Sequence, residues 1–189
     1  MTKFATFDPT TGILNARYDA AINTVVPASA VPLDDATFLR TINEQDGVWT
    51  LIGGTVTKVM PTSAQLLAAA QATASGAMNA ATQAAIYAGF QSPALGSAHT
   101  YPAKDTDQQN LAASVLDAVI NASTTGYTTP FWCEDSTGKW AYVPHTSAQM
   151  IQVGKDGKTA ILAALSRNAV AQAAIAAATT VAGVQAVTF

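Results

Sequence analysis

The sequence predicts an α+β protein in two parts. Residues 1–60 form a small N-terminal module of β-hairpins and one helix, and residues 61–189 form a C-terminal domain whose long Ala-rich helices pack on a short antiparallel sheet. Three observations lead to this class. Short alternating segments joined by Gly-containing turns fill the N-terminal module. After Pro61 the chain becomes Ala-rich, and no Asp, Glu, Lys or Arg occurs from Met60 to Ala103. Further on, helical patterns alternate with hairpin patterns.

The N-terminal module contains two hairpin patterns on either side of a helix pattern. KFATFD and ILNARYD flank the loop at residues 9–12, where Pro and Gly favour a turn. VWTLI and TVTKV flank Gly53-Gly54, which suits the two-residue turns of twisted hairpins. Between them we expect a helix that is capped by Asp34 or Asp35, ends at Gly47 and carries at helical spacing Phe38, Leu39 and Ile42.

Two helix starts in the C-terminal domain share one four-residue signal. Thr-Ser-Ala-Gln at residues 62–65 and again at 146–149 is a capping box, in which the Thr and Gln side chains each bond the other residue's backbone. Between these helices the sequence predicts an irregular hairpin over FQSPALGSAHTYPA. A helix over DTDQQNLAASVLDAVINAS should follow, capped by Asp105, with one apolar side made of Leu111, Val115, Leu116 and Val119.

The composition excludes several classes of function. Charged residues are 11% of the chain and the net charge is -3, whereas nucleic-acid binding needs clustered Lys and Arg. One Cys and two separated His offer no zinc-ligand spacing. The N-terminus lacks the apolar run of a signal peptide, and polar residues interrupt the Ala-rich stretches every few positions. We therefore expect no nucleic-acid partner, no metal or other cofactor, no secretory signal and no membrane insertion.

The stretch FWCEDSTGKWAYVPHT holds the one cysteine, Cys133, and one of the histidines, His145. Ser136-Thr137-Gly138 predicts a three-residue hairpin loop that pairs Cys133 with Ala141. Cys133 then lies among small apolar neighbours, where a thiol is inert. His145 precedes the Thr146 cap and is expected to pack on Met150. We interpret both as structural residues, and a Cys133–His145 thiol hydrolase as the third hypothesis.

Gly157-Lys158-Thr159 is similar to the end of a phosphate-binding loop. That motif requires a Gly five residues before its final Gly-Lys pair, and Gln152 stands there instead. The segment also lies within a helical pattern. We expect Gly157 to permit close helix packing or a bend.

The same hairpin register places Trp132, Trp140 and Tyr142 together on the other face of the strands. Tyr101, from the preceding hairpin, is expected to join them. Aromatic side chains dominate protein cores, so a helix of the same chain is the commoner cover for such a face. The alternative is a contact surface for another chain, where Trp and Tyr are enriched.

Several long strings resemble a C-terminal domain of unknown function found in bacteriophage and prophage tail proteins. The likeness covers roughly residues 75 to 189 and is carried by ALGSAHTYPAKDTDQQNL, PFWCEDSTGKWAYVPHTSAQMIQVGKDGK and AAATTVAGVQAVTF. The first 60 residues are more weakly similar to the N-terminal part of tail fibre assembly proteins. That part of the likeness rests on a Thr-Gly turn after Phe7, Val26-Pro27, the acidic helix start at Asp34-Asp35 and a Gly turn before Pro61.

This resemblance implies a non-enzymatic tail fibre assembly or accessory protein, a chaperone that binds a tail fibre protein in the host cytoplasm during phage assembly. The alternative is a structural component that is retained in the virion tail and contacts the host surface. The family brings no catalytic residues to this chain. Self-association into a homo-oligomer is a further expectation, because the nearly uncharged helices offer faces that can pack on copies of themselves.

Overall fold

The computed structural model describes residues 2–189, and its antiparallel sheets and long helices confirm the α+β class. The strands are β1 (Lys3–Phe7), β2 (Leu14–Asp19), β3 (Val31–Leu33), β4 (Val48–Ile52), β5 (Thr55–Val59), β6 (Phe90–Ser92), β7 (His99–Tyr101), β8 (Thr128–Glu134) and β9 (Trp140–Thr146). The helices are α1 (Asp35–Asn43), α2 (Ser63–Tyr87), α3 (Asp105–Ile120), α4 (Ser147–Ala177) and α5 (Val181–Gln185).

Two compact units divide the chain, the first ending at Leu66 and the second running from Leu67 to Phe189. The sequence-based boundary lies between residues 60 and 61, in the loop that precedes α2. The division into two folding domains at that position stays a prediction.

The first unit combines a three-stranded sheet, in the order β2-β1-β3, with the β4–β5 hairpin and α1. Gly53 and Gly54 both have positive φ, 57° and 83°, as a two-residue turn that follows the strand twist requires. Asp34 caps α1 by accepting from the Thr37 N–H at 2.7 Å. The helix ends at Asn43, before the Gly47 stop that the sequence suggested.

The inward side of α1 is mixed, because the half-buried ring of Phe38 shares it with a polar residue. Its buried residue is Thr41, whose hydroxyl accepts a hydrogen bond from Arg17 Nε at 2.8 Å, while Leu39 and Ile42 are exposed. Of the three predicted apolar residues, Phe38 is half-buried while Leu39 and Ile42 face solvent.

The second unit is built on a four-stranded antiparallel sheet in the order β6-β7-β8-β9. Helices α3 and α4 cover the sheet face that carries Phe131 and Cys133, and Met150 and Val153 of α4 are fully buried there. Both predicted capping boxes are present: Thr62 N–H donates to Gln65 Oε1 at 2.7 Å, and α4 is capped by Thr146 with Gln149. In α3, Lys104 occupies the cap position, so the expectation that Asp105 caps this helix is wrong.

Neutral polar side chains join α2 to the C-terminal half of α4. Ser75 donates to Gln172 Oε1 at 2.6 Å, and Asn168 donates to Asn79 Oδ1 at 3.0 Å. The residue number rises from 75 to 79 along α2 while that of the bonded residue falls from 172 to 168 along α4, so the two helices run antiparallel. Amides and hydroxyls thus replace the ion pairs that this Ala-rich region lacks.

Helix α4 has the length and apolar composition of a candidate membrane span. The sequence had led us to expect no segment apolar enough to span a membrane. Ala, Ile and Leu raise the mean hydropathy of α4 more than its polar residues lower it. One such helix is weak evidence, because the core helix of a protein passes the same test; 17% of the apolar window of α4 is buried. The absence of membrane insertion stays a prediction.

Candidate binding site

The β8–β9 hairpin has the predicted register. Cys133 pairs with Ala141, Trp132 with Tyr142, and Glu134 with Trp140. Gly138 takes the left-handed conformation, with φ of 83°, that closes the three-residue loop. Because side chains alternate along a strand, this register divides the hairpin into a buried face and an exposed face.

The buried face holds a hydrogen-bonded pair, Tyr101 and His145, beside Cys133. The Tyr101 hydroxyl and His145 Nε2 are 2.8 Å apart, and His145 Nδ1 is 2.7 Å from the Val143 carbonyl oxygen. With Nδ1–H donating to Val143, Nε2 accepts from the Tyr101 hydroxyl, which describes a neutral imidazole. Burial lowers the pKa of His145 and raises the pKa of Tyr101, and the neighbouring Cys133 thiol adds to the Tyr101 shift.

Cys133 is a core residue, as the sequence predicted. The thiol is buried, and its pKa is raised, mainly by that burial. Both ring nitrogens of His145 face partners other than the thiol, namely Tyr101 and Val143. A thiolate nucleophile needs a lowered pKa and an accessible sulfur, and this position supplies neither.

Gly157-Lys158-Thr159 lies within α4 and not in a loop, as expected. A Cβ atom at Gly157 would lie 2.8 Å from Phe90 Cζ and 3.3 Å from Leu111 Cδ2. The glycine therefore permits close packing of α4 on the sheet and on α3, and no phosphate cradle is formed.

The exposed face of the hairpin carries what we name the aromatic surface: Trp132, Trp140 and Tyr142. Their exposed fractions are 39%, 37% and 71%. The Trp132 and Trp140 rings stack with centroids 6.0 Å apart, and Trp132 and Tyr142 meet at 4.9 Å with planes inclined by 57°. In the structure, no helix of the second unit covers these three side chains fully, although such cover was the commoner expectation from sequence.

Tyr101 does not belong to the aromatic surface, so the prediction that it joins the other three is wrong. Its exposed fraction is 0%, and its ring stacks on Phe90 at 5.5 Å inside the core. Tyr101 pairs with Phe90 in β7–β6, and that strand position turns the ring toward α4 and His145. The sequence predicted the register of the β8–β9 hairpin, but neither the register of β6–β7 nor the pairing between the two hairpins.

A cavity of about 480 Å³ adjoins the aromatic surface. Its lining combines Trp132 and Tyr142 of the hairpin with Asp107, Asn110 and Ser114 of α3. Pro102 and Pro130 complete the apolar part of its rim. This cavity was not predicted from the sequence. The signal that could have revealed it is the polar series at i, i+3 and i+7 along α3.

A second cavity, of about 520 Å³, is an apolar groove between α3 and α4. Gly154 and Gly157 line it on α4, and Leu116 and Val119 line it on α3 with their side chains exposed. The predicted apolar side of α3 is thus only partly covered. Leu111 is buried in the core, whereas Leu116 and Val119 remain exposed at the groove. Residues 2–189 contain no cluster of three or more His, Cys, Asp or Glu that could hold a metal ion.

The fold and this site describe an α+β protein with a buried polar pair in its core and an aromatic surface on its exterior. Residues 69–188, nearly the whole second unit, match the family model described as "Domain of unknown function (DUF4376)", and the chain belongs to this family. No curated protein and no solved structure matches the chain.

Proposed function

We propose that this protein is a non-enzymatic bacteriophage tail fibre assembly or accessory protein that binds a tail fibre protein through its aromatic surface. The observation that carries the binding role is the exposure of Trp132, Trp140 and Tyr142 on one sheet face. The resemblance of residues 75–189 to phage tail proteins supports the choice of partner.

The chemistry of the three side chains suits a protein contact. Trp and Tyr bury roughly 150–250 Å² each when a partner covers them, and they are the residue types most enriched among binding hot spots. The Trp132–Trp140 and Trp132–Tyr142 contacts also hold the rings in place before binding, which lowers the entropy lost on association. A partner chain would find a rigid apolar platform.

The buried residues point the same way. The side chains with the chemistry of catalysis, Cys133 and His145, lie in the core with raised and lowered pKa values respectively. The large apolar side chains of the hairpin that reach solvent are the aromatic residues Trp132, Trp140 and Tyr142, which are suited to contact. This distribution supports a binding role over the thiol hydrolase hypothesis.

The test is co-expression with a bacteriophage tail fibre protein. We expect the wild-type chain to co-purify with the fibre and to raise the yield of soluble, trimeric fibre. The double variant Trp132→Ala/Trp140→Ala should weaken the complex by at least about 30-fold, the loss expected from removing a hot spot of about 2 kcal/mol.

The matched control is Ile22→Ala/Val25→Ala, which removes two highly exposed apolar side chains of the first unit. It should leave the complex unchanged, and circular dichroism should show both variants folded. The proposal fails if fibre solubility and trimer formation are the same without this protein.

The alternative is a structural component that is retained in the virion tail and contacts the host surface. The protein composition of purified particles distinguishes it from an assembly chaperone. An assembly chaperone should be absent from purified particles in mass spectrometry. Its presence there, at a fixed ratio to the fibre, would favour the structural component.

A further inference from the structure

We propose that the cavity between α3 and the aromatic surface is a binding site for a neutral saccharide. The inference goes beyond the tail fibre role: the cavity shares Trp132 and Tyr142 with the proposed fibre contact, but its polar residues on α3 belong to the saccharide site alone. We name the cavity the α3–hairpin pocket and define it by Asp107, Asn110, Ser114, Trp132 and Tyr142.

The pocket has two chemically different walls. Along α3, a carboxylate, an amide and a hydroxyl recur at intervals of three and four residues, which places them on one side of the helix. The same cavity is lined by Trp132 and Tyr142 of the hairpin, whose ring planes are inclined to each other by 57°. The volume of about 480 Å³ falls in the range of roughly 300–1,000 Å³ typical of small-molecule sites.

A saccharide matches both walls at once. The face of a pyranose ring presents C–H groups of partial positive charge, which pack favourably on the negative face of an aromatic ring. Its edge presents hydroxyl groups that both donate and accept. Asn110 offers both roles, Asp107 accepts and Ser114 does either, so each polar group of the α3 wall can find a partner.

The α3 wall is already fixed in position. Asp107 accepts a hydrogen bond from the Lys104 backbone N–H at 3.0 Å through Oδ2, as part of the start of α3. This bond orients the carboxylate, and Oδ1 remains for a ligand hydroxyl. A site on a helix held by its own cap loses little entropy when it binds.

The charge of the lining determines the class of sugar. Lys, Arg and His are absent from the residues that line the pocket, and Asp107 contributes a negative charge. An anionic ligand such as a phosphate or a uronic acid would meet that carboxylate without a cation in compensation. The ligand is therefore a neutral saccharide.

Another apolar protein segment fits less well. A helix laid into the pocket would bury Asp107, Asn110 and Ser114 against aliphatic groups and leave them without hydrogen bonds, which is costly. A proline-rich peptide would use the rings but not the polar wall. A saccharide uses the whole lining.

The experiment uses the full chain and the intrinsic fluorescence of its tryptophans. Trp132 and Trp140 are two of the three in the sequence, and the third, Trp49, is buried in the first unit. The probes are neutral hexasaccharides of glucose, mannose, galactose and N-acetylglucosamine, with decaproline as the peptide probe. We expect a saturable change in emission with at least one hexasaccharide and none with decaproline.

The variants Asn110→Ala and Ser114→Ala keep every aromatic reporter. Each should weaken saccharide binding by about tenfold or more, and Asn15→Ala, at an exposed amide of β2, is the matched control that should not. Binding of the tail fibre protein should survive Asn110→Ala, so loss of one interaction is distinguishable from loss of the other. The proposal is overturned if no hexasaccharide binds saturably, if binding ignores both α3 variants, or if decaproline alone binds.

Discussion

Gly157 is the position at which one added methyl group should test the packing of α4 most directly. An alanine Cβ there would lie 2.8 Å from Phe90 Cζ and 2.9 Å from Phe90 Cε1. Carbon atoms pack best at roughly 3.5–4.0 Å, so α4 or the Phe90 ring must move by about 0.7 Å. The ring is buried and stacks on Tyr101, which leaves little room for that movement.

The expected magnitude is the balance of two effects. Overpacking of a core typically costs about 1–3 kcal/mol. Replacing a helical glycine by alanine returns about 1 kcal/mol, because the unfolded chain loses conformational freedom. Gly157→Ala should therefore lower the free energy of unfolding by up to about 2 kcal/mol.

Gly76→Ala is the matched control in the same unit. Gly76 lies within α2 and nothing approaches its Cβ position within 4 Å, so this variant should gain the helix propensity of about 1 kcal/mol alone. The difference between the two variants isolates the packing cost, about 1–3 kcal/mol. Urea unfolding followed by tryptophan fluorescence measures the free energy of unfolding of each variant, since Trp132 and Trp140 lie in this unit.

A second measurement assigns the cost to the phenylalanine. Combining Gly157→Ala with Phe90→Leu removes the ring atoms at the contact, so the two changes should be less than additive in a double-mutant cycle. If Gly157→Ala is as stabilising as Gly76→Ala, the close approach of α4 to β6 does not exist and the reasoning is refuted.

Three further predictions concern the core pair, the thiol and a helix cap. Burial lowers the pKa of His145 from its ordinary 6.5, so below about pH 6.5 the unfolded chain binds more protons than the folded one. The free energy of unfolding should be constant above that pH and should fall below it by at most about 1.4 kcal/mol per pH unit. Urea titrations at several pH values measure this slope, and His145→Gln should reduce it. An unchanged slope would contradict the claim that His145 is neutral and buried in the folded protein. Cys133 should resist iodoacetamide in the native protein and react fully in denaturant, because its thiol is buried and its pKa raised; rapid native labelling would show the site to be open. Thr146→Ala should lower the free energy of unfolding by about 1 kcal/mol through loss of the α4 cap, whereas Thr146→Ser should retain it.

Local patterns determined much of the second unit. The loop Ser136-Thr137-Gly138 fixed the register of β8 and β9 because a turn of given length and a left-handed Gly allow few pairings. The capping boxes at Thr62 and Thr146 mark the starts of α2 and α4 because their hydrogen bonds join residues only three apart. Such signals can be read from sequence since each one is complete within a few residues.

Long-range pairing decided where the candidate site lies. Tyr101 belongs to the core and not to the aromatic surface, because its position in β7 relative to Phe90 turns it toward His145, 44 residues further along the chain. The exposed side of α3 is another example. Leu116 and Val119 fit the predicted apolar side, yet they line an open groove, because α4 approaches α3 at Leu111 and Val115, through Gly157 and Gly154.

The sequence by itself determined the α+β class, the hairpin register, the capped helix starts and the core position of Cys133, because hydrogen-bonded turns, caps and strand alternation are local. Only the tertiary structure decided that His145 pairs with Tyr101, that Gly157 packs against Phe90, and that polar residues of α3 line one cavity together with Trp132 and Tyr142. Those contacts depend on how separate elements are placed in space, and the alternation of residues along one strand or helix carries no information about the neighbour it will meet.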